Sequence, residues 1–277
     1  MTPVAGPECT DPRAARVVAA RRLVKRSFRT RGRQFLAEGP QAVGEALTVP
    51  GVVRELFATG HGAQRHAELL DAAERAGVPI RLVSGEVFDT MAQTVTPQGV
   101  LAVCCFVDVA YEEVVASKPR LVAVLAQVRD PGNAGTVLRC ADAAGADAVL
   151  FTDASVDVYN PKCVRASAGS LFHLPVAVGV PASEGVAALR AHDVTVLAAD
   201  GQGDIDLESA EEQGLLSRPT AWIFGNEAWG LPVGTRDLAD AVVRVPIYGK
   251  AQSLNLATAA AVCLYASARA QRAERRS

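Results

Sequence analysis

The pattern of apolar and polar positions divides the chain into two regions that both mix helices with strands. In the first region, apolar periodicity predicts helices at about 41–47 and 63–76, and apolar runs predict strands at 52–58, 80–83 and 100–107. In the second region the predicted strands are 121–128, 147–152, 174–178, 194–199, 221–225 and 242–247, and the predicted helices are 134–144, 183–191 and 253–270. This mixture predicts an α/β protein.

Several strands of the second region are continuous apolar runs, such as LVAVLA at 121–126 and VTVLAA at 194–199. Such runs are typical of parallel sheets that are covered on both faces. We therefore expect a C-terminal α/β sandwich at residues 119–277, preceded by a smaller α/β domain at residues 1–107. The polar stretch from Asp108 and the Lys118-Pro119 step predict a linker at 108–118.

The net charge of −2 conceals a strong asymmetry along the chain. There are nine cationic and three acidic residues up to residue 40, and 19 cationic and 27 acidic residues after it. A helix face or tail that is merely solvated is one explanation, but such faces normally mix both signs, and unbalanced cations attract phosphate. We therefore expect this segment to bind the backbone of a nucleic acid. The residues expected to do so are Arg21, Arg22, Lys25, Arg26, Arg29, Arg31 and Arg33.

Several classes of protein are disfavoured by what the sequence lacks. No apolar run approaches the roughly 18–20 residues that cross a bilayer, and the N-terminus has no apolar signal-peptide core, so we expect a cytoplasmic protein with no membrane partner. The six cysteines include no CxxC pair, and the histidines do not stand at metal-ligand spacing beside them. We expect reduced thiols and no metal site.

The first of three notable loops is RDPGNAGTVLRCADAAGAD at 129–147. Ligands of open α/β sheets bind beyond the carboxyl ends of the strands, and this loop follows a predicted strand. A Pro-Gly turn leads into a helix that Asn133 is placed to cap and that carries Arg139. Such a helix start could bind an anion, or Asn133 could be only a cap and Arg139 only a surface cation.

The second loop is WIFGNEAWGL at 222–231. Glycines stand on both sides of Glu227, which indicates a tight turn or a ligand close to the backbone. A glycine-rich turn with a solvated glutamate is the alternative.

The third loop leads into a long helix within VRVPIYGKAQSLNLATAAAVCLYASARA at 242–269. Ser253 is expected to cap this helix, and Asn255 lies early in a helix whose other positions are largely apolar. A buried amide needs hydrogen-bond partners, so Asn255 is a candidate for more than capping. The spacing GxxxxGK[ST] is absent, which excludes a P-loop at Lys250.

Taken together, the three loops resemble the three motifs of the SpoU/TrmH family of RNA 2′-O-ribose methyltransferases. The matching positions read NxGxxxR…G at 133–145, GNExxGL at 225–231 and PxxGxxxSLN at 246–255. The segments FLAEGPQAVGEAL at 35–47 and TPQGVLAV at 96–103 are similar to the RNA-binding N-terminal domain of this family. The resemblance therefore covers most of the chain.

The resemblance implies a SPOUT-type α/β domain with a deep trefoil knot, S-adenosylmethionine as methyl donor, and a homodimer whose active sites use residues of both subunits. The implied donor-binding residues are Gly225, Val245, Ile247 and Leu254. The implied catalytic residues are Arg139, Asn133, Glu227, Ser253 and Asn255. Arg139 would act either as general base or as a clamp on the adjacent phosphate that stabilises the developing oxyanion.

The appended N-terminal domain is more typical of the family's ribosomal RNA enzymes, so the expected substrate is 23S rRNA. A tRNA ribose methyltransferase is one alternative. A non-catalytic RNA-binding or ribosome-assembly protein is the other, although such a protein could be expected to have lost one of the five catalytic residues.

Overall fold

The structure is a computed structural model that describes residues 8–226 and 228–274. Up to residue 107 its helices and strands, numbered in chain order, are α1 (Ala15–Arg22), α2 (Arg26–Gly32), β1 (Gln34–Glu38), α3 (Pro40–Thr48), β2 (Val53–Ala58), α4 (Gly60–Arg65), α5 (Ala67–Arg75), β3 (Ile80–Leu82), α6 (Gly85–Asp89) and β4 (Val100–Cys105).

After residue 107 the elements are α7 (Tyr111–Ala116), β5 (Leu121–Leu125), α8 (Pro131–Ala144), β6 (Ala148–Thr152), α9 (Pro161–Ala166), a 3₁₀ turn (Ser170–Phe172), β7 (Val176–Val180), α10 (Ala182–Ala191), β8 (Thr195–Ala199), β9 (Ile205–Asp206), α11 (Leu207–Glu212), β10 (Thr220–Phe224), α12 (Val233–Arg236), β11 (Ala241–Arg244) and α13 (Leu256–Glu274). No helix within the described residues is long and apolar enough to cross a membrane.

The chain folds into two compact units whose boundaries differ from the predicted ones. The first unit contains the chain up to Val107 together with the segment 159–172, and the second contains 108–158 and the chain from His173 onward. The expected linker at 108–118 contains α7, whose Val114 and Val115 are buried in the core of the second unit. Sequence patterning does not reveal the segment 159–172 as part of the first unit, because its partners lie far away along the chain.

Aromatic packing ties the segment 159–172 to the first unit. The ring of Tyr159 stacks on Phe106 with a centroid distance of 3.7 Å, and it also contacts Phe35. The backbone N–H of Val107 donates a hydrogen bond of 2.8 Å to the Tyr159 hydroxyl. This unit has a four-stranded sheet in the order β1-β4-β2-β3, in which β4 is antiparallel to both of its neighbours.

The second unit is built on a seven-stranded sheet in the order β7-β6-β5-β10-β8-β11-β9, and every neighbouring pair is parallel. This confirms the parallel sheet that the apolar runs predicted. Trp222 in the central strand β10 is fully buried, and its indole N–H donates a hydrogen bond of 2.9 Å to Ser267 Oγ of α13. Because the strands run in one direction, the carboxyl ends of β5, β10, β8 and β11 lie along one edge.

Several predicted elements have different ends in the structure. The predicted strand 121–128 ends at Leu125, and the predicted helix 253–270 begins only at Leu256. The predicted helix 63–76 is divided between α4 and α5, with His66 in a non-helical conformation between them. Helices α1 and α2 were not predicted, because their dense cations obscure a narrow apolar stripe of Val17, Ala20 and Leu23 that packs in the core.

Candidate active site

The three motif loops leave the same edge of the sheet in the second unit. The first follows β5, the second follows β10 and the third follows β11. Strand β10 pairs with both β5 and β8, and β8 in turn pairs with β11. Leu125 and Phe224, which are far apart in sequence, thereby pair at the neighbouring ends of β5 and β10.

The first loop starts helix α8 with a different cap from the predicted one. Asp130 is the N-cap, and its Oδ1 accepts a hydrogen bond of 2.8 Å from the backbone N–H of Asn133. The prediction that Asn133 caps the helix is therefore wrong, because the helix begins at Pro131 and not at residue 134. The Asn133 side chain instead contacts the third loop, since its Oδ1 accepts a hydrogen bond of 3.1 Å from Asn255 Nδ2.

The third loop starts helix α13 with Asn255 rather than with Ser253. Asn255 Oδ1 accepts hydrogen bonds from the backbone N–H groups of Ala257 (2.9 Å) and Thr258 (3.4 Å). The predicted cap, Ser253, is exposed and lies two residues before this point. Asn255 is exposed, so its amide is accessible to a ligand. At the same time Oδ1 is held by backbone N–H groups of α13, and Nδ2 is held by Asn133.

The second loop is fastened to the first by Asn226. This side chain is buried, and its Nδ2 donates a hydrogen bond of 3.0 Å to the carbonyl of Gln127, while its Oδ1 accepts one of 2.8 Å from Ala228 N–H. Backbone hydrogen bonds in both directions between Asn226 and Gly230 close the loop. Glu227, a predicted catalytic residue, lies outside the described residues.

Gly225 shows how tightly this second loop is folded. A Cβ added at Gly225 would lie 2.6 Å from the carbonyl group of Gly230 and 2.7 Å from the nitrogen of Leu231. Gly230 has a φ of +71°, a conformation that favours glycine. Both motif glycines are therefore required by the backbone itself, as the sequence pattern indicated.

Arg139 is not brought together with Asn133 and Asn255. It lies six residues beyond Asn133, roughly 9 Å along the axis of α8. Its side chain is exposed and forms no hydrogen bond or ion pair with another described residue. Burial raises the pKa of the neighbouring Cys140 thiol, and the Arg139 cation partly opposes that rise. The structure thus joins the two amides by a hydrogen bond that does not include Arg139.

The predicted donor-binding residues stand where a ligand could contact both backbone and apolar side chains. Between β11 and α13 the chain forms neither helix nor strand, and it contains Val245, Ile247 and Leu254. Ile247 is 38% exposed and Leu254 is 36% exposed, so two large apolar side chains are left partly open beside the motif loops. The adenine ring of an adenosine group fits these residues, because Ile247 and Leu254 leave apolar faces partly exposed.

The structure adds a fourth loop that sequence reasoning missed, at residues 200–204 after β8. This strand lies between β10 and β11, so its loop sits between the second and third motif loops. A Cβ at Gly203 would lie 2.7 Å from the carbonyl oxygen of Val242, and the Arg244 guanidinium donates hydrogen bonds to the carbonyls of Gly203 and Asp204. The sequence DGQGD after an apolar strand could have indicated this loop, but only the strand order shows that the loop lies between the second and third motif loops.

Asp206, which follows this fourth loop, is the N-cap of α11. Side-chain and backbone hydrogen bonds from Ser209 lower the pKa of Asp206, and the nearby Arg244 guanidinium lowers it further. The Tyr248 hydroxyl donates a hydrogen bond of 2.5 Å to Glu208, and this carboxylate raises the pKa of Tyr248. Among the described residues no group of histidine, cysteine or carboxylate side chains could hold a metal ion.

The predicted RNA-binding arm lies in the first unit, on α1 and α2. Its exposed members are Arg21, Arg22, Lys25, Arg26, Arg31 and Arg33. Arg29 is the exception, since it is only 3% exposed and its guanidinium donates hydrogen bonds to the carbonyls of Leu23 (2.9 Å) and Val24 (2.6 Å). Arg29 holds the turn between the two helices and is therefore removed from the surface expected to bind RNA.

Comparison with known families gives two matches that follow each other along the chain. Residues 120–265 match the SpoU rRNA Methylase family. Residues 36–107 match the family described as RNA 2′-O ribose methyltransferase substrate binding.

Individual relatives match across both units. The 23S rRNA (guanosine(2553)-2′-O)-methyltransferase of Bacillus subtilis is 35% identical over 245 residues, which cover 88% of this chain and 92% of the relative. The 23S rRNA (uridine(2479)-2′-O)-methyltransferase of Streptomyces viridochromogenes is 32% identical over 255 residues, covering 89% and 86%. The crystal structure of an AdoMet-bound rRNA methyltransferase from Sinorhizobium meliloti has a TM-score of 0.83 at 30% identity, covering 95% of this chain and 97% of the other.

Proposed function

Because this chain belongs to the SpoU rRNA methylase family, we propose that it transfers a methyl group from S-adenosylmethionine to a ribose 2′-hydroxyl of 23S rRNA. The observation that carries this proposal is the hydrogen bond between Asn133 and Asn255, which joins the first and third motif loops. The hydrogen bond from Asn226 to Gln127 joins the second loop to the first in the same way. Relatives named as 23S rRNA 2′-O-methyltransferases support the choice of substrate.

The methyl donor would be held by Gly225, Val245, Ile247 and Leu254. S-adenosylmethionine supplies an electrophilic methyl group on a sulfonium. The side chains of Ile247 and Leu254 would cover an adenine ring, and the compact backbone at Gly225 would allow close approach. The amides of Asn133 and Asn255 would then hold a ribose hydroxyl opposite the departing sulfur, and such positioning alone can contribute several kcal/mol.

For Arg139 we propose the role of a phosphate clamp and not of a general base. A guanidinium rarely releases its proton, and this one is exposed and free to form a bidentate contact with a phosphate. Its positive charge would also stabilise negative charge that develops on the 2′-oxygen as this oxygen loses its proton to water and takes the methyl group, while S-adenosylhomocysteine leaves. We expect Arg139→Lys to keep part of the activity with an unchanged pH profile shape, and Arg139→Ala to keep less. A pH optimum that moves with the replaced side chain would contradict the clamp and favour the base.

The separation of Arg139 from the two amides leads us to propose a homodimer in which each site takes Arg139 from the partner subunit. Exposed apolar side chains on α13, Val262 (38%) and Tyr265 (51%), offer a surface for such a contact. Mixing the weakly active Arg139→Ala and Asn255→Ala variants tests this. Random exchange of subunits should restore about 25% of wild-type activity, because heterodimers keep one intact site. No recovery after demonstrated exchange would exclude the shared site.

The exposed cations of α1 and α2 would meet the RNA backbone. We expect replacement of Arg21, Arg22, Lys25 and Arg26 by alanine to weaken RNA binding and to flatten its dependence on salt. The affinity for S-adenosylmethionine should not change, and an equal loss of donor affinity would contradict this division of roles. The trefoil knot and the cytoplasmic location stay predictions from the resemblance and the sequence.

The experiment that tests the function is methyl transfer from labelled S-adenosylmethionine to unmodified 23S rRNA, with tRNA transcripts in parallel. We expect one methylated ribose in 23S rRNA, mapped by mass spectrometry of nuclease fragments. Methylation of tRNA alone would replace the proposed substrate. Tight RNA binding with no transfer and no donor binding would favour the non-catalytic alternative.

A further inference from the structure

A cavity of about 680 Å³ lies between α1 and the sheet of the first unit. Its walls come from α1, from the turn at 49–51 and from the chain at 76–79 that leads into β3. The volume lies within the ~300–1,000 Å³ range of small-molecule sites. The cavity is in a different unit from the three motif loops, and the proposed chemistry does not use it.

A β-bulge brings three successive residues of β2 to this cavity. Val53 pairs with Cys104 and Glu55 pairs with Val103, so that Arg54 is an extra residue in the ladder. A regular strand would send alternate side chains to opposite faces. Here Val53, Arg54 and Glu55 all line the cavity, and bulges commonly redirect a side chain in this way.

One nearly buried carboxylate organises the guanidinium groups of the cavity. Glu55 is 8% exposed; its Oε2 accepts a hydrogen bond of 2.6 Å from Arg81 Nε, and its Oε1 lies 3.9 Å from Arg16 Nη1. The terminal nitrogens of Arg81 and the whole guanidinium of Arg54 form no hydrogen bond with another described residue. The cavity is thus lined by three cations, Arg16, Arg54 and Arg81, and by one carboxylate, Glu55. A recessed surface focuses the electric field of this excess positive charge.

We propose that this cavity binds one unpaired nucleotide of the RNA substrate, a proposal that rests on the proposed function. Arg54 and Arg81 would contact the phosphate through their free guanidinium nitrogens. The apolar wall at Val49, Pro50 and Val78 would cover the base. Arg16 belongs both to this cavity and to the cationic run from Arg13 to Arg33, so an RNA strand lying on α1 continues into it.

An unpaired nucleotide fits the cavity better than a duplex does. Proteins recognise RNA sequence chiefly in loops and bulges, where bases can be splayed out and covered by side chains. A duplex keeps its bases stacked inside and could present only phosphates at the rim. The family match for substrate binding covers residues 36–107, so α1, which forms one wall, lies outside the matched range.

The test uses the full chain with Arg54→Ala, and with Arg65→Ala as the matched control. Arg65 is an exposed cation on α4 of the same unit that does not line the cavity. Binding is measured by fluorescence anisotropy with a short oligouridylate, with an RNA duplex of equal length, and with a 23S rRNA transcript. Arg54 is preferred over Arg81 because removing Arg81 would leave Glu55 buried without its closest partner.

We expect Arg54→Ala to weaken oligouridylate and 23S rRNA binding about 10-fold and to reduce the salt slope by about 0.7, while duplex binding stays unchanged. Arg65→Ala should leave all three affinities unchanged. Equal losses for both variants, an equal loss for the duplex, or no loss with Arg54→Ala would each overturn the proposal. Methyl transfer by the wild-type enzyme is measured separately, so that failure of the cavity proposal is distinguishable from failure of the proposed function.

Discussion

Asn255 has two roles in the structure that can be separated by mutation. Its Oδ1 caps helix α13, and its Nδ2 donates a hydrogen bond to Asn133 across the site. Asn255→Ser keeps a good N-cap but is too short to reach Asn133, whereas Asn255→Ala loses both functions. A comparison of these two variants therefore distinguishes stability from chemistry.

The expected magnitudes follow from these contacts. Loss of an N-cap costs about 1 kcal/mol, which in a unit of this size lowers the melting temperature by about 2–4 °C. Asn255→Ser should lower it by much less, because the bond to Asn133 is exposed to water and contributes little to stability. Loss of one positioning hydrogen bond should reduce methyl transfer about 10- to 100-fold in both variants.

Both quantities can be measured on the intact protein. The two tryptophans, Trp222 and Trp229, lie in the second unit, so their fluorescence follows its unfolding. Methyl transfer to 23S rRNA gives the activity of the same preparations. Wild-type activity in Asn255→Ser would refute the positioning role, and equal melting temperatures for Asn255→Ser and Asn255→Ala would refute the capping assignment.

Three further predictions concern packing and ionisation. Gly225→Ala should destabilise the second unit by about 1–3 kcal/mol and reduce the affinity for S-adenosylmethionine. Gly249→Ala is the control and should leave stability unchanged, because a Cβ at Gly249 meets no atom within 4 Å. Equal melting temperatures for the two variants would contradict the close packing at Gly225. Burial raises the pKa of Cys263 to about 12, so we expect native protein to resist its alkylation at pH 8, and rapid labelling there would show that α13 opens. The pKa of Asp206 in the folded protein lies below the ordinary 3.8, so the wild type should be more stable than Asp206→Asn above about pH 4. This difference in the free energy of unfolding should disappear at lower pH. A difference that stays constant with pH would exclude an ionised Asp206 as the cap that accepts from Ser209.

The helix caps show where local sequence reasoning reached its limit. Asp130 and Asn133 are both good caps, and so are Ser253 and Asn255, so propensity does not choose between them. The choice depends on where the preceding strand ends and on the direction in which the chain then runs. The observed cap lies three residues before the expected one in the first loop and two residues after it in the third loop. With Asp130 and Asn255 as the caps, the side chains of Asn133 and Asn255 form a hydrogen bond with each other.

The burial of Arg29 follows from a similar long-range cause. Within the sequence it is one of nine cations in a run, and nothing in its neighbours separates it from Arg26 or Arg31. The turn between α1 and α2 leaves the carbonyls of Leu23 and Val24 without helical partners, and the guanidinium of Arg29 satisfies them. A cation can thus serve the fold even in a segment whose other cations face solvent.

By itself the sequence determined the main strands of the parallel sheet and the motifs. Apolar runs predicted a parallel sheet, and the three loops carried the residues of a recognisable site, because strand patterning and glycine requirements are local properties of the chain. The tertiary structure decided which loops meet, that the loop after β8 joins them, that the segment 159–172 belongs to the first unit, and that Arg54 enters a cavity. These features depend on strand order, register and packing between distant residues, and such contacts leave no periodic trace in the sequence.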